Sequence, residues 1–429
     1  MNFQASLEYL YGLQLFGIKL GLENMQALKA RLPLLQDPLP CIHIAGTNGK
    51  GSVSMLLAEI LKHSGLRVGL YTSPHLHCFT ERIRIGGEPI DCNEVVRLAE
   101  TIRQAAVDIP VTFFEATTAM AFLAFKESQV DIAVIETGLG GRLDATNIVE
   151  PQLCLITPIS SDHSEHLGET LAEIAAEKSG IIKSGVPVVV GKQTPEAAEV
   201  ILTTADDHGV AVCLADRDFS WRGDHGNLAV AVGVNHLDGL TCSLAGVHQL
   251  DNFAQAVAAA MTLREQGIVI TDAAIRKAGK SATWPGRLEW WSGAREVLLD
   301  VAHNQAGIAC LANYLDEQNL SRIHLVTGLS GKRDPFEILM PLVKFAEAIY
   351  AVPVSYGLSV PTPQIVGWAE RQRLPVSEYR TAGEGLYAAL KAAGKKEPVV
   401  VCGSIYLVAE LRQKLLSGES SALYSSDSL

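Results

Sequence analysis

The chain has 429 residues, 48% hydrophobic and 19% charged, and a net charge of −12. That length exceeds one ordinary hydrophobic core and predicts two or three globular domains. The acidic balance excludes a general nucleic-acid binder, which would carry a basic face, but leaves room for a local basic pocket around an anion. Cysteines at 41, 78, 92, 154, 213, 242, 310 and 402 show no C-x-x-C spacing, so reduced, cytosolic usage is read rather than a disulfide framework or zinc cluster. The N-terminus "MNFQASLEYLYG" lacks the basic and apolar stretches of a signal peptide, and no apolar run approaches the roughly 20 residues of a membrane span. A soluble, cytoplasmic protein is expected, with no membrane or nucleic-acid partner.

The first predicted strand, Cys41–Ala45 ("CIHIA"), runs into "GTNGKGS" (Gly46–Ser52) and then a helical pattern over Val53–Gly65. Strand, glycine loop and helix together predict a phosphate cradle. Backbone N–H groups and the positive helix end face the anion, Lys50 adds a mobile charge, and the Ser52 hydroxyl begins the helix where it can ligate Mg²⁺. The string departs from G-x-x-x-x-G-K-[ST], because its lysine precedes the last glycine. The next strand, Arg67–Tyr71, ends in "YTSPHL". In "ERIRIGGEPI", Arg82 and Arg84 alternate with isoleucines on one strand face, as anion contacts or as the solvated face of a hairpin.

A helix is predicted over Glu94–Val107 and a strand over Ile132–Glu136. The strand places Glu136 at its C-terminal end, before "TGLGGRLDATN", where a carboxylate is sited to hold a metal on phosphates. Arg142 and Asp144 share that loop, which is too rich in special-geometry residues to be a spacer. Strand Leu153–Thr157 leads to Asp162 and His163. His163 is a candidate Mg²⁺ ligand, an unusual one because Mg²⁺ prefers oxygen, or a capping histidine. The spacing H-S-E-H is not H-E-x-x-H, which excludes a zinc protease. Lys178, near a helix end, either complements the helix dipole or, if buried beside a metal, has a lowered pKa and reacts with CO₂ to a carbamate. Strand Val186–Val190 follows, and residues 211–244 read as a polar, β-rich segment.

A second series of strands comprises Val297–Val301, Ile323–Thr327, Ala348–Val352 and Pro398–Cys402. "TWPGRLEWWSGARE" (Thr283–Glu296) separates the two series and reads as a hinge, flanked by Arg287 on one side and by Asp300 and His303 on the other. The fold class is α/β: a P-loop-type, mostly parallel sheet domain with helices on both faces, then a smaller Rossmann-like α/β domain. Closure of the second domain over a nucleotide is expected. The tail 417–429 is expected to be disordered.

GTNGKGS, TSP with ERIR, FFE, E-x-GLGGRLDATN, SDH, EKxGI, HQxxN, GR and D-x-AHN occur in that order over about residues 1 to 410. Together they resemble the bacterial bifunctional dihydrofolate synthases and folylpolyglutamate synthases, relatives of the muramyl-peptide ligases. The resemblance implies that ATP phosphorylates a carboxylate and that the amine of L-glutamate displaces the phosphate to form an amide. The acceptor would be 7,8-dihydropteroate or the γ-carboxylate of a reduced folate. ATP contacts would be Asn48, Gly49, Lys50, Gly51, Ser52, Asn252, Arg287 and Asp300. Metal ligands for about two Mg²⁺ would be Ser52, Ser73, Glu136, His163 and Lys178 as its CO₂-derived carbamate. Substrate contacts would be Lys19, Leu20, Gly21, Arg82, Thr112, Phe113, Phe114, Glu115, Leu143, Asp144, Ala145 and Ser404. Lys50, Lys178, Asp300 and His303 would be catalytic. The implied domains are 1–285 for ATP and pterin, a linker at 286–295, and 296–416 for closure on ATP and glutamate. The chain departs from the family at Gln305, where proline is common, and at Phe253, where alanine is usual. A monomer is expected. The rival functions are a muramyl-peptide ligase, a P-loop regulator, for which no N-K-x-D string occurs, and a binding module without activity, against which the full set Lys50, Glu136, His163 and Lys178 stands.

Overall fold

Apolar runs without polar alternation make strands buried on both faces. In chain order the first are β1 (Cys41–Ala45), β2 (Val68–Tyr71), β3 (Ile83–Ile85), β4 (Glu88–Pro89), β5 (Ile132–Glu136), β6 (Leu153–Ile156), β7 (Val188–Val190) and β8 (Val212–Leu214). In the computed structural model, which describes residues 1–16, 19–162, 164–293, 295–394 and 397–417, these eight form one sheet in the order β4-β3-β2-β5-β1-β6-β7-β8. Every pairing from β2 to β8 is parallel, and β3 and β4 fold back as an antiparallel edge. Every residue of β1, β5 and β6 is buried.

Two hydrophobic clusters flank this sheet. One joins Cys41, Tyr71, Ala133 and Ile135 to helices Cys92–Ala105 and Phe113–Glu127. The other joins Ala45, Cys154 and Ile156 to helices Leu171–Ser179 and Pro195–Asp207. Helix Phe113–Glu127 starts on a capping box, in which Thr112 accepts from the Glu115 N–H and Glu115 Oε2 accepts from the Thr112 N–H at 2.7 Å. Glu115 is 2% exposed and also accepts from Asn24 Nδ2 at 3.1 Å. Glu115→Ala should therefore lower unfolding stability by about 1–3 kcal/mol, read from the urea midpoint. An unchanged midpoint would show that the box is dispensable.

The segment at 211–244 divides. Val212–Leu214 joins the large sheet as its edge strand, while β9 (Phe219–Gly223), β10 (Leu228–Val232) and β11 (Asn235–Leu240) make a separate antiparallel sheet. β10 shows the half-buried pattern of a strand with one wet face, with Leu228 and Val230 buried.

Contact clustering separates two compact units, 1–243 with 249–282, and 244–248 with 283 onward. The second unit is built on β12 (Glu289–Trp291), β13 (Val297–Leu299), β14 (Ile323–Thr327), β15 (Ala346–Ala351), β16 (Val376–Glu378) and β17 (Val399–Cys402), in the order β12-β13-β17-β14-β15-β16. All its pairings are parallel except β12 with β13. The segment 286–295 thus carries a strand: Trp290 lies opposite Leu298, and its Nε1 donates to the Tyr314 hydroxyl at 2.8 Å. Among the described residues no helix is long and apolar enough to cross a membrane. The tail expected to be disordered lies, from 418 on, outside the described residues.

Candidate active site

Three strand ends converge in register. Ile44 pairs with Glu136 and Ala45 with Ile156, so the loops after β1, β5 and β6 leave the same carboxyl edge of the sheet. Ligands bind at that edge in parallel α/β sheets. The glycine loop is held from outside: the Thr47 and Asn48 N–H groups donate to Pro158 O at 3.0 and 3.2 Å, and Thr47 Oγ1 donates to Ser160 O at 3.0 Å.

Two glycines are dictated by contact as well as by φ. Gly46 sits at φ +146°, and a Cβ there would lie 1.8 Å from Thr157 Oγ1; Gly49 sits at φ +87°, with its Cβ position 2.5 Å from Asn252 Oδ1. Gly46→Ala is expected to displace the loop and raise the nucleotide Kd about 10-fold or more, measured by calorimetric titration with ADP. An unaltered Kd would mean that the loop tolerates the shift. Gly49 caps helix Lys50–His63, which therefore begins two residues before Ser52 (52 − 50), and the cap carries no side-chain hydrogen bond. An anion can take those first amides. Gly51 and the buried Ser52 form the first turn of that helix.

Two lysines meet one carbonyl. Lys50 Nζ donates to Gly46 O at 3.1 Å and to Thr47 O at 3.3 Å, and Lys178 Nζ donates to Gly46 O at 2.7 Å. Lys178 ends helix Leu171–Ser179 and is only 4% exposed. Burial, and then the neighbouring Lys50 charge, pull its pKa from 10.5 down to about 7, against the opposing pull of Asp162 and Asp144. A substantial fraction is thus the neutral, nucleophilic amine near neutral pH.

Glu136, 4% exposed, accepts from the Ser73 N–H at 3.1 Å. A buried carboxylate oriented by the next loop is an oxygen donor of the kind that suits Mg²⁺. His163 lies outside the described residues. Among the described residues no group of three or more His, Cys, Asp or Glu is arranged to hold a metal.

A second cluster is aromatic and cationic. Arg82 is not on the strand but ends a short helical turn, Phe79–Arg82, and is only 7% exposed, which overturns the solvated-hairpin alternative. Its guanidinium lies 5.1 Å from the Phe113 ring centroid, and its Nε donates to His75 Nδ1 at 2.8 Å. Burial and the Arg82 charge push the His75 pKa down to about 4, which keeps that acceptor neutral. Phe113 stacks on Tyr11 at 5.5 Å, and Phe114 lies 6.1 Å from Tyr71. Three backbone N–H groups, of Leu76, His77 and Cys78, donate to Glu81 and clamp the loop that carries His75. Sequence reasoning missed Tyr11, His75 and Glu81; the string "TSPHL…ERIR" contained two of them.

Of the other predicted substrate contacts, the Gly21 N–H donates to Leu143 O at 3.4 Å, which brings 19–21 beside 143–145. Lys19 Nζ donates to Asn24 Oδ1 at 3.4 Å, Leu20 is exposed, and Ala145 is buried. Thr112 and Glu115 are engaged in the helix cap. Asp144 is buried and accepts from the Gly138 and Leu139 N–H groups at 3.0 and 2.8 Å. Phe253 is fully buried against Gly279, so its extra bulk relative to alanine fills core.

In the second unit, Asp300 Oδ2 accepts from the Leu288 N–H and its Oδ1 from the Ala302 N–H, both at 2.8 Å. This carboxylate fixes the turn around Arg287, whose Nη1 donates to Gly286 O at 3.4 Å. His303 Nδ1 lies 2.8 Å from Val301 O, Asn304 caps the helix that Gln305 begins, and Ser404 Oγ lies 2.6 Å from Ser330 Oγ.

This is the architecture of a Mur-type ligase: the family model described as the Mur ligase middle domain matches residues 44–260, and that of the dihydrofolate synthetase C-terminal domain matches 291–415. The chain is 34% identical to the dihydrofolate synthase/folylpolyglutamate synthase of Bacillus subtilis over 96% of its length and 99% of that protein. It is 36% identical to the folylpolyglutamate synthase of Lacticaseibacillus casei over 88% of its length and 90% of that protein. The solved structure of E. coli FolC in complex with DHPP and ADP superposes with a TM-score of 0.89 at 31% identity, covering 98% of this chain and 99% of that one. A bifunctional folylpolyglutamate synthase/dihydrofolate synthase with Mn, AMPPNP and L-glutamate bound gives a TM-score of 0.87 at 32% identity, covering 97% and 98%. The chain belongs to the dihydrofolate synthase/folylpolyglutamate synthase family.

Proposed function

We propose that the chain couples ATP hydrolysis to addition of L-glutamate to 7,8-dihydropteroate and to the γ-carboxylate of reduced folates, through an acyl phosphate. The observation that carries this reading is the convergence of Lys50 and Lys178 on the Gly46 carbonyl, at the sheet edge where Glu136 also ends. In the same unit the buried Arg82 and the ring of Phe113 form a cationic, aromatic cluster whose chemistry suits a flat pterin and its acidic tail.

The mechanism follows from charge. A carboxylate and a triphosphate repel each other until cations lie between them. The loop amides and the start of helix Lys50–His63 hold the β- and γ-phosphates, and Lys50 swings from its own loop carbonyls onto the transferring phosphoryl group. Mg²⁺, held by Ser52, Ser73 and Glu136, would supply charge neutralisation on the phosphate oxygens. Lys178, as a carbamate, would add oxygen donors; its poised amine and burial support that form. Arg82 orients the acceptor carboxylate. Phosphoryl transfer gives the acyl phosphate, and the glutamate amine displaces phosphate. In the second unit Asp300 fixes the turn that carries Arg287; the family resemblance gives nucleotide contact to Arg287 and glutamate contact to His303 and Ser404.

Arg82→Ala should raise the KM for dihydropteroate about 10-fold or more and change kcat less, because a ground-state contact is lost. An unchanged KM would move the substrate elsewhere. The function itself is tested by ADP release with ATP, Mg²⁺, glutamate and one of three acceptors. Release with dihydropteroate and with a reduced folate supports both activities. Release with dihydropteroate alone makes the enzyme monofunctional, and release only with a UDP-muramyl peptide overturns the reading.

A further inference from the structure

His43 lies in the middle of β1, two residues before the glycine loop begins its approach at Ala45, and none of the roles above uses it. It is 0% exposed. Its Nε2 lies 2.8 Å from Thr146 Oγ1, 103 residues away, and its Nδ1 has no hydrogen-bond partner among the described residues. Thr146 Oγ1 is bonded in turn to Asp144 Oδ1. Asp144 also accepts the Thr146 N–H on Oδ1 at 3.0 Å, and the Gly138 and Leu139 N–H groups on Oδ2 at 3.0 and 2.8 Å. One buried line thus runs from the strand that feeds the phosphate loop to the loop after β5.

Hydrogen counting sets its polarity once Asp144 is a carboxylate. The three backbone groups facing Asp144 are obligatory donors, and an ionised carboxylate accepts on both oxygens and donates from neither. Burial raises the Asp144 pKa, and the donors around it oppose that shift by favouring the ionised form. The single hydroxyl hydrogen of Thr146 is then committed to Asp144. Its oxygen can meet His43 only as an acceptor, so Nε2 carries the imidazole hydrogen and Nδ1 is the bare lone pair. Burial drives the His43 pKa down to about 3, so the ring is neutral over the working range. A bare Nδ1 is also the less costly nitrogen to leave unpaired in an apolar strand, because no N–H is orphaned there.

We infer that His43 is a positioning residue: held as the Nε2–H tautomer, it orients the Thr146 hydroxyl onto Asp144 and thereby sets the Gly138–Leu139 loop against which the pterin-bearing substrate packs. The loop has little freedom of its own, since a Cβ at Gly138 would lie 2.4 Å from the Phe114 ring. A small rotation of Asp144 would move that backbone against Phe114, and with it the aromatic surface of the site. The loop's contact with substrate rests on the proposed reaction; the tautomer does not.

The test has two parts. Nitrogen-15 spectra of the full-length protein with labelled histidine report the tautomer of the wild-type ring directly. The Nε2–H form is expected, and the Nδ1–H form would overturn the inference whatever the enzyme's substrate. Steady-state kinetics with dihydropteroate then compare His43→Leu, Thr146→Val, the double variant and His43→Gln, each with its melting temperature. Each single variant should raise KM about 10-fold with kcat within about twofold, the loss of one buried hydrogen bond. The double variant should lose no more than either single, and His43→Gln, whose side-chain amide can donate in place of Nε2, should restore KM. Unchanged KM in a folded His43→Leu variant, or multiplied effects in the double variant, would show that the line does not act as one unit. Should His43→Leu fail to fold, Thr146→Val and the tautomer decide.

Discussion

Lys50→Ala is expected to lower kcat about 1,000-fold while leaving the protein folded. The side chain is half-buried and among the described residues bonds only to carbonyls of its own loop, Gly46 and Thr47, so its loss strands no distant partner there. What is lost is a positive charge beside the transferring phosphoryl group, where preorganised cations contribute most of the acceleration. Single-turnover ADP formation with the variant measures this directly, and a circular-dichroism melt checks the fold. Wild-type kcat in the folded variant would remove Lys50 from the reaction. Lys50→Arg is not a conservative control, because a planar guanidinium fork does not reproduce the compact charge of an ammonium on the phosphoryl group.

Lys178→Ala is expected to lower activity about 100-fold or more, with partial recovery in millimolar formate or acetate, which can replace the oxygens of a carbamate. Lys178→Arg should be equally impaired, since a guanidinium does not react with CO₂. Full activity of Lys178→Ala without added carboxylate would eliminate the carbamate. The same residue predicts a pH effect on stability in the metal-free protein. Its pKa is about 7 in the folded chain against the usual 10.5. Below pH 7 the ammonium is carried in both states and the folded state bears its burial cost. Between pH 7 and 10.5 the unfolded chain holds the extra proton, so stability rises with pH through that window. Lys178→Met should therefore stabilise most near pH 6, and its advantage should shrink by pH 9.

The two parallel sheets were legible because β1, β5 and β6 in the first, and β14 and β17 in the second, are mainly apolar runs buried throughout, a pattern that few alternatives satisfy. Two strands in polar or proline- and tryptophan-rich surroundings were not. Val212–Leu214 reads like its polar neighbours until β7 pairs with it, and Glu289–Trp291 lies in a proline- and tryptophan-rich stretch that reads as a hinge. Arg82 was placed on a strand because isoleucines alternate around it, whereas the clamp that Glu81 makes on three amides winds that stretch into a turn. The phosphate loop was local and therefore readable. The meeting of Lys178 with Gly46 spans 132 residues, and that of Asn24 with Glu115 spans 91, and nothing in the chain between them records either. Lys178 was singled out at its helix end with two readings open, and the resemblance to the family chose between them; no local pattern supplied Asn24, His75 or His43.

In the proposed reaction the phosphate of ATP passes to a carboxylate of the pterin-bearing substrate before glutamate arrives. Dihydropteroate labelled with oxygen-18 in its carboxylate, turned over with ATP, Mg²⁺ and glutamate, tests it by mass analysis of the inorganic phosphate released. One labelled oxygen is expected in each phosphate, carried over when the acyl phosphate is cleaved. Unlabelled phosphate alongside dihydrofolate would contradict it.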